Sequence, residues 1–153
     1  MNLAKTESFS TTHRTLKYLA LLVWLTGPIV LALKSSELLL EAQALTPASL
    51  WVGSAIPLGI MVGLIKTKFI FRKACKKNLA RIDAIAVPKI WQFYRPKFFL
   101  FLVIMILAGS FLSSMAHGNF PFLIFVGILD LSLATALFLS STVFWQEKAF
   151  RKR

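Results

Sequence analysis

Acidic residues are few in this chain and lie far apart. The sequence contains six, and no two are spaced to act together as acid and base: Glu7, Glu37, Glu41, Asp83, Asp130 and Glu147. Glycine-rich nucleotide loops and the HExxH and GxSxG motifs are also absent. We therefore expect no enzymatic activity.

Cysteine and histidine are scarcer still. Cys75 is the single cysteine, which excludes an intrachain disulfide and a CxxC pair for thiol exchange or zinc. The two histidines, His13 and His117, fall in segments expected on opposite sides of a membrane, so one haem or metal ion cannot bridge them within a chain. We expect no metal and no cofactor.

Long apolar runs dominate what the sequence does contain. Hydrophobic residues make up 57% of the 153-residue chain and mean hydropathy is +0.70, above the roughly 45–50% apolar share of a soluble domain. Four runs have the length of a membrane span, at about 16–33, 48–65, 98–115 and 120–144. The pattern predicts an all-α integral membrane protein with one domain, 1–153, and four transmembrane helices.

A basic segment, 66–97, separates the second run from the third. It holds ten of the eighteen lysines and arginines, and Asp83 is its one acid. A segment with this charge resists translocation, so it is predicted to stay in the cytoplasm. Three further basic residues lie in the N-terminal tail, residues 1–17, and four follow the last run, which leaves Lys34 alone on the other side.

This charge distribution predicts two helical hairpins joined by the basic segment, with both termini cytoplasmic, in a bacterial cytoplasmic membrane or an equivalent internal membrane. It also speaks against a dual-topology dimer. Because the basic residues flank apolar runs and no nucleic-acid-binding motif accompanies them, the net charge of +12 predicts anionic lipid headgroups as a partner and no nucleic acid. The triplet Ala42-Gln43-Ala44 has the form of a signal-peptide cleavage site, but it lies well beyond the first apolar run, so we favour an uncleaved anchor.

The second span carries a face of small residues. Ala55, Gly59 and Gly63 recur every four residues, a spacing that places them together on a helix. Such a face lets a neighbouring backbone approach closely. We favour packing within the bundle, and a homodimer seam is the alternative.

The basic segment opens with an amphipathic pattern. One apolar stripe runs up to Pro88, formed by Phe71, Cys75, Leu79, Ile82 and Ala86. Five candidate contacts to headgroups or to a partner lie mostly on the other faces: Arg72, Lys73, Lys76, Lys77 and Arg81. A helix of this kind either lies on anionic headgroups or continues the second span as a stalk that packs on a partner.

Asp130 is the charged residue inside a predicted span. A carboxylate at the bilayer centre costs roughly 2.5–3.5 kcal/mol on insertion scales, so it should face protein or water or be protonated. If the last two spans pair about the turn at His117, Ser110 comes within reach of Asp130, and no basic residue is expected at the same depth. Three interpretations follow: a neutral, hydrogen-bonded structural acid, a proton or cation site in an oligomer, or a group that pairs with another protein.

Packing features without catalytic motifs favour a non-enzymatic accessory or assembly subunit of a membrane complex, bound to another membrane protein or to copies of itself. The alternative is a homo-oligomeric proton- or cation-coupled transporter or channel centred on Asp130. A third hypothesis is a lipid-surface sensor that acts through residues 72–81.

Reporter fusions test the topology. Fusions at Lys76 and at Arg153 should report the same face of the membrane, because basic charge holds both positions in the cytoplasm. A control fusion after Ala44 should report the other face. Opposite locations for Lys76 and Arg153, or a chain that is soluble without detergent, would contradict the four-span arrangement.

Overall fold

The fold is all-helical, and a computed structural model describes residues 11–147, apart from the side chains of residues 98, 99, 101 and 102. In chain order the helices are α1 (His13–Leu45), α2 (Leu50–Lys66), α3 (Arg72–Asp83), α4 (Pro96–Ala116), α5 (Phe120–Ser140) and the short α6 (Val143–Gln146). A π-helical turn (Thr67–Phe71) joins α2 to α3, and a 3-10 turn (Ile90–Phe93) precedes α4.

Three stretches of continuous helix are long and apolar enough to cross a membrane: His13–Leu45, Leu50–Asp83 and Phe120–Gln146. Helix α4 has 21 residues, and its described apolar part runs from Val103 to Ala116. The chain is therefore all-helical, as predicted, and has three to four helices compatible with membrane spans.

Helix α1 is longer than the predicted first span. It runs for 33 residues and continues through Ser35–Ala44, whereas the predicted span ends at about residue 33. The prediction was wrong because this stretch is rich in leucine, glutamate, alanine and glutamine, all strong helix formers, and contains neither glycine nor proline. At about 1.5 Å per residue α1 extends roughly 50 Å, well beyond a hydrocarbon core of about 30 Å.

The second span and the first part of the basic segment, up to Asp83, form one helix. Helix α2 begins at Leu50, where the Ser49 side chain accepts a hydrogen bond from the Trp51 amide, and helical backbone continues to Asp83. It ends five residues before Pro88, so Ala86 lies outside the helix and is exposed. Of the two predicted arrangements, α3 as a continuation of the second span therefore fits the backbone better than α3 as a separate helix on the membrane surface.

Helix α5 lies at the centre of the bundle and runs antiparallel to α1. Near one end of this contact, Trp24 Nε1 donates to Leu137 O at 3.0 Å, and near the other, Ser35 Oγ donates to Gly127 O at 2.9 Å. A Cβ atom at Gly127 would come within 2.9 Å of Leu39 Cδ2, so the two helices touch closely here.

Helix α2 packs against another side of α5 and runs parallel to it. A Cβ atom at Gly59 would lie 2.9 Å from Leu131 Cδ2, and one at Gly63 would lie 2.6 Å from Thr135 Cβ. Ala55, Gly59 and Gly63 are all buried. The small-residue face of α2 is thus occupied by α5 of the same chain.

Neighbours in sequence are therefore not the main neighbours in space. Helix α5 contacts α1 and α2 much more than it contacts α4, the helix that precedes it. The turn between α4 and α5 contains Gly118 at φ +75°, a conformation that glycine adopts readily. Glu41 holds this turn to α1, since its Oε1 accepts from Gly118 N at 3.0 Å and its Oε2 contacts His117 Nδ1 at 2.6 Å.

At the opposite end of the bundle, α3 packs beside both described ends of the chain. The Thr11 amide donates to Pro88 O at 2.9 Å, and His13 Nε2 donates to Ile85 O at 2.7 Å. Lys76 Nζ lies 3.1 Å from Glu147 Oε1. We call this end, which carries the basic segment, the basic end.

Substitution of Gly63 tests the contact between α2 and α5. Gly63→Ala places a Cβ 2.7 Å from the backbone oxygen of Ser132, an atom that cannot rotate away, so we expect the free energy of unfolding to fall by about 1–3 kcal/mol. Gly53→Ala on the same helix is the matched control, because a Cβ there meets nothing within 4 Å. Thermal unfolding in mild detergent measures both, and equal melting temperatures for the two variants would contradict the packing.

Candidate functional site

A layer of polar side chains crosses the bundle between two apolar clusters. One cluster, around Trp24, Cys75 and Phe144, fills the basic end, and the other, around Leu38 and Leu123, fills the end near the α4–α5 turn. Between them lie five polar residues that we call the polar layer: Lys34, Ser35, Lys66, Asp130 and Ser132.

Asp130 is the acid of the polar layer. Its residue is 4% exposed, and its Oδ2 is buried without a hydrogen-bond partner in the described structure. It lies on the face of α5 that also carries Gly127 and Leu137, which both contact α1. A buried carboxylate oxygen without a donor is unfavourable by a few kcal/mol, so this group is accommodated best when it carries a proton or binds a ligand.

Lys34 belongs to the layer by its position on α1. Its chain neighbour Ser35 is fixed to α5 by the hydrogen bond to Gly127 O, three residues from Asp130, so Lys34 and Asp130 lie at similar levels of the bundle. Lys34 nevertheless forms no ion pair with Asp130. The ion pairs within residues 11–147 are Lys17–Asp83, Lys76–Glu147 and Glu41–His117.

Lys66 enters the layer from α2. Its Nζ donates to Ser132 Oγ at 2.9 Å, and that hydroxyl donates in turn to Leu129 O at 2.7 Å. The lysine reaches inward because Gly63, three residues earlier, brings α2 close to α5. The expectation that no basic side chain reaches the depth of Asp130 was therefore wrong for Lys34 and Lys66.

Ser110 does not belong to the polar layer. It is exposed on α4, while Asp130 is buried on the side of α5 that faces α1. The predicted contact between the two residues was wrong, because equal depth in two successive helices does not determine which faces they turn to each other.

The five basic residues of α3 divide into two groups. Arg72, Lys76 and Arg81 contact the chain's own residues, respectively the Gln146 side chain, Glu147 and the Gln92 carbonyl. Lys73 and Lys77 are exposed. The apolar stripe beneath them packs inward, since Cys75, Leu79 and Ile82 are buried with residues of α1 and α6 and with Tyr94.

This packing determines which side of α3 is available to contact a membrane surface or a partner. Its apolar side is already covered by protein, so its contact with a membrane surface or a partner depends on the charged side alone. An exposed ion pair such as Lys76–Glu147 contributes little stability, about 0–1 kcal/mol.

The sequence contained a signal for part of the polar layer. Gly63 and Lys66 are three residues apart and thus neighbours on a helix surface, so a close contact at Gly63 implied that Lys66 also faces α5.

No group of three histidine, cysteine, aspartate or glutamate side chains that could hold a metal ion comes together in the described part of the chain. Comparisons with known protein families, curated proteins and solved structures yield no match to this chain.

Proposed function

We propose that this protein is a non-enzymatic accessory or assembly subunit of a membrane complex, and that α4 is the helix through which it docks. The observation that carries the proposal is the isolation of α4. Among the side chains of α4 that the structure describes, Ser113 and Ala116 alone are buried. Both lie near the turn, where Ala116 and Leu112 join the core cluster around Leu123.

The remaining surface of α4 is suited to another helix. Val103, Leu107 and Phe111 are 52%, 65% and 63% exposed. A Cβ atom at Gly109 would meet nothing within 4 Å, and the neighbouring Ser110 is exposed. Small residues in an apolar helix let a second backbone come close enough for extensive van der Waals contact.

Another membrane protein suits this surface better than a second copy. The small-residue face of α2 is already filled by α5, so it offers no seam for a homodimer. The chain has a net charge of +12, and Arg95 and Lys97 lie at the start of α4. Two copies side by side on α4 would bring like charges together, whereas a partner with acidic residues at this end would be attracted.

The orientation in the membrane completes the proposal. The basic end would face the cytoplasm together with both termini, in a bacterial cytoplasmic membrane or an equivalent internal one. There Lys73 and Lys77, with the other basic residues of α3, would meet anionic headgroups or the acidic surface of the partner. Each such charge contributes at most about 1 kcal/mol of attraction to an anionic surface.

Site-specific photo-crosslinking in cells tests the docking role of α4. A benzophenone amino acid at Leu107 or Phe111 should give one discrete adduct with another membrane protein, because these side chains point away from the chain's own core. Probes at Ile29 and Val30 of α1, which are 60% and 55% exposed, are the controls and should give none.

A second substitution makes the crosslinking result specific. Gly109→Leu fills the open position on α4 and should abolish the adduct, while Gly53→Leu, at an equally open position on α2, should leave it unchanged. Adducts that arise equally from α1 and α4, or adducts only between two copies of this chain, would contradict the proposal.

A second candidate function is a proton- or cation-coupled transporter centred on Asp130. It is supported by the buried, unpartnered Oδ2 and by the nearby Lys34 and Lys66, which give the acid a polar surrounding that a purely apolar bundle lacks. Ionisable groups buried in membrane helices often mark ion or proton paths.

Flux measurements in liposomes separate the two functions. A transporter should carry protons or cations above the level of empty liposomes, and Asp130→Asn should abolish this flux because the amide cannot exchange the proton. Glu37→Gln, which changes an exposed carboxylate on α1, is the control and should retain it. Equal flux from the wild type and Asp130→Asn would exclude the residue from transport.

A further inference from the structure

A cavity of about 190 Å³ opens at the basic end, between α1, α3 and the segment before α4. Two aromatic rings, Trp24 and Tyr94, form one part of its lining, and three basic side chains, Lys77, Arg81 and Arg95, form another, together with Asn78. This volume is well above the roughly 10–15 Å³ that a single water needs, so the cavity has room for several water-sized groups.

The aromatic part of the lining is held rigidly. The Trp24 and Tyr94 rings stack with centroids 6.2 Å apart and planes 22° apart. Trp24 Nε1 donates to Leu137 O and to Ser140 Oγ, both at 3.0 Å, and the Tyr94 hydroxyl donates to Ala20 O at 3.3 Å. Burial raises the pKa of the Tyr94 phenol well above its usual value, so the ring stays neutral.

The polar part of the lining is also fixed in place. Asn78 Nδ2 donates to Phe93 O at 3.0 Å, and Arg81 Nη2 donates to Gln92 O, so both side chains clamp the 3-10 turn against α3. The Nε of Arg81 is buried and has no hydrogen-bond partner in the described structure. The hydrogen bond to Gln92 O thus gives the guanidinium a defined orientation beside the cavity.

The positive charge around the cavity is not neutralised within the described residues. Partial burial lowers the pKa of Arg81, and the like charge of Arg95 lowers it further. The two acids nearest in sequence are engaged elsewhere, Asp83 with Lys17 and Glu147 with Lys76. The three basic side chains therefore leave a net positive charge around the cavity that attracts an anion.

We propose that this cavity binds the phosphate group of an amphiphilic or small organic phosphate ester, with Lys77, Arg81 and Arg95 around the phosphate oxygens and the organic part against Trp24 and Tyr94. Arginine is suited to this role because its planar fork matches the geometry of phosphate. A lipid headgroup and a free phosphate ester share this chemistry. This proposal is more specific than a general attraction of α3 to anionic membranes. It involves one face of α3, with Lys77 and Arg81, and it includes Arg95, which lies outside that helix.

Calorimetric titration of the full chain in a non-ionic detergent, at physiological ionic strength, tests the proposal. The probes are dioctanoyl phosphatidate, glycerol 3-phosphate and dioctanoylglycerol, which has the same acyl chains without phosphate. We expect dioctanoyl phosphatidate to bind and dioctanoylglycerol not to bind. Binding of glycerol 3-phosphate as well would identify a free phosphate ester as a sufficient ligand, and binding of the phosphatidate alone would identify a lipid headgroup.

Two double variants with the same loss of charge make the test specific. Lys77→Gln/Arg95→Gln removes two side chains from the cavity lining that make no hydrogen bond within the described residues, and it should raise the dissociation constant at least about tenfold, as expected when charge-assisted hydrogen bonds are lost. Arg14→Gln/Lys68→Gln removes two exposed charges outside the lining and should change the constant by less than about twofold. Equal weakening in both variants, equal binding of dioctanoylglycerol, or no binding of either phosphate probe would overturn the proposal.

Discussion

The close approach of α5 to the helices on two of its sides is the constraint on which the rest of the structure depends. It is possible because glycine occurs where the backbones come nearest, at Gly59 and Gly63 of α2 and at Gly127 of α5 itself. In a lipid environment the hydrophobic effect does not drive helices together, so van der Waals contact and interhelical hydrogen bonds must do so. The hydrogen bonds from Trp24 and Ser35 to carbonyl oxygens of α5 supply the second contribution.

The helices themselves could be predicted largely from sequence, because long apolar runs are a strong signal and the small-residue face of α2 has a clear four-residue spacing. Their lengths and neighbours were harder to predict. The apolar run ends at about residue 33, yet the residues that follow, such as Glu37 and Glu41, favour helix about as strongly as leucine does, so α1 continues through them. Pairing successive spans was a reasonable default, but the glycines direct α5 towards α1 and α2, and α4 is left at the edge.

The candidate site was predicted only in part. A single acid within an apolar run identifies Asp130 without any structure, whereas its surroundings depend on the rotation of each helix about its own axis, which depth alone does not specify. Ser110 was therefore assigned wrongly and Lys34 was missed. Lys66 was missed because a lysine at a span end is usually taken to reach outward to water, while here close packing at Gly63 turns it towards Ser132.

The π-helical turn at Thr67–Phe71 has a geometric consequence for the whole basic end. Such a turn accommodates about one extra residue, which corresponds to a rotation of roughly 100° relative to a regular α-helix. With this offset the glycine face of α2 and the buried stripe of α3, from Cys75 to Ile82, look towards the same side of the molecule. In a regular α-helix of the same sequence, that stripe would be rotated by about a quarter turn away from the bundle. Trp24 and Phe144 would then lose their contacts with it, and α2 and α3 could not both pack on the bundle with their buried faces.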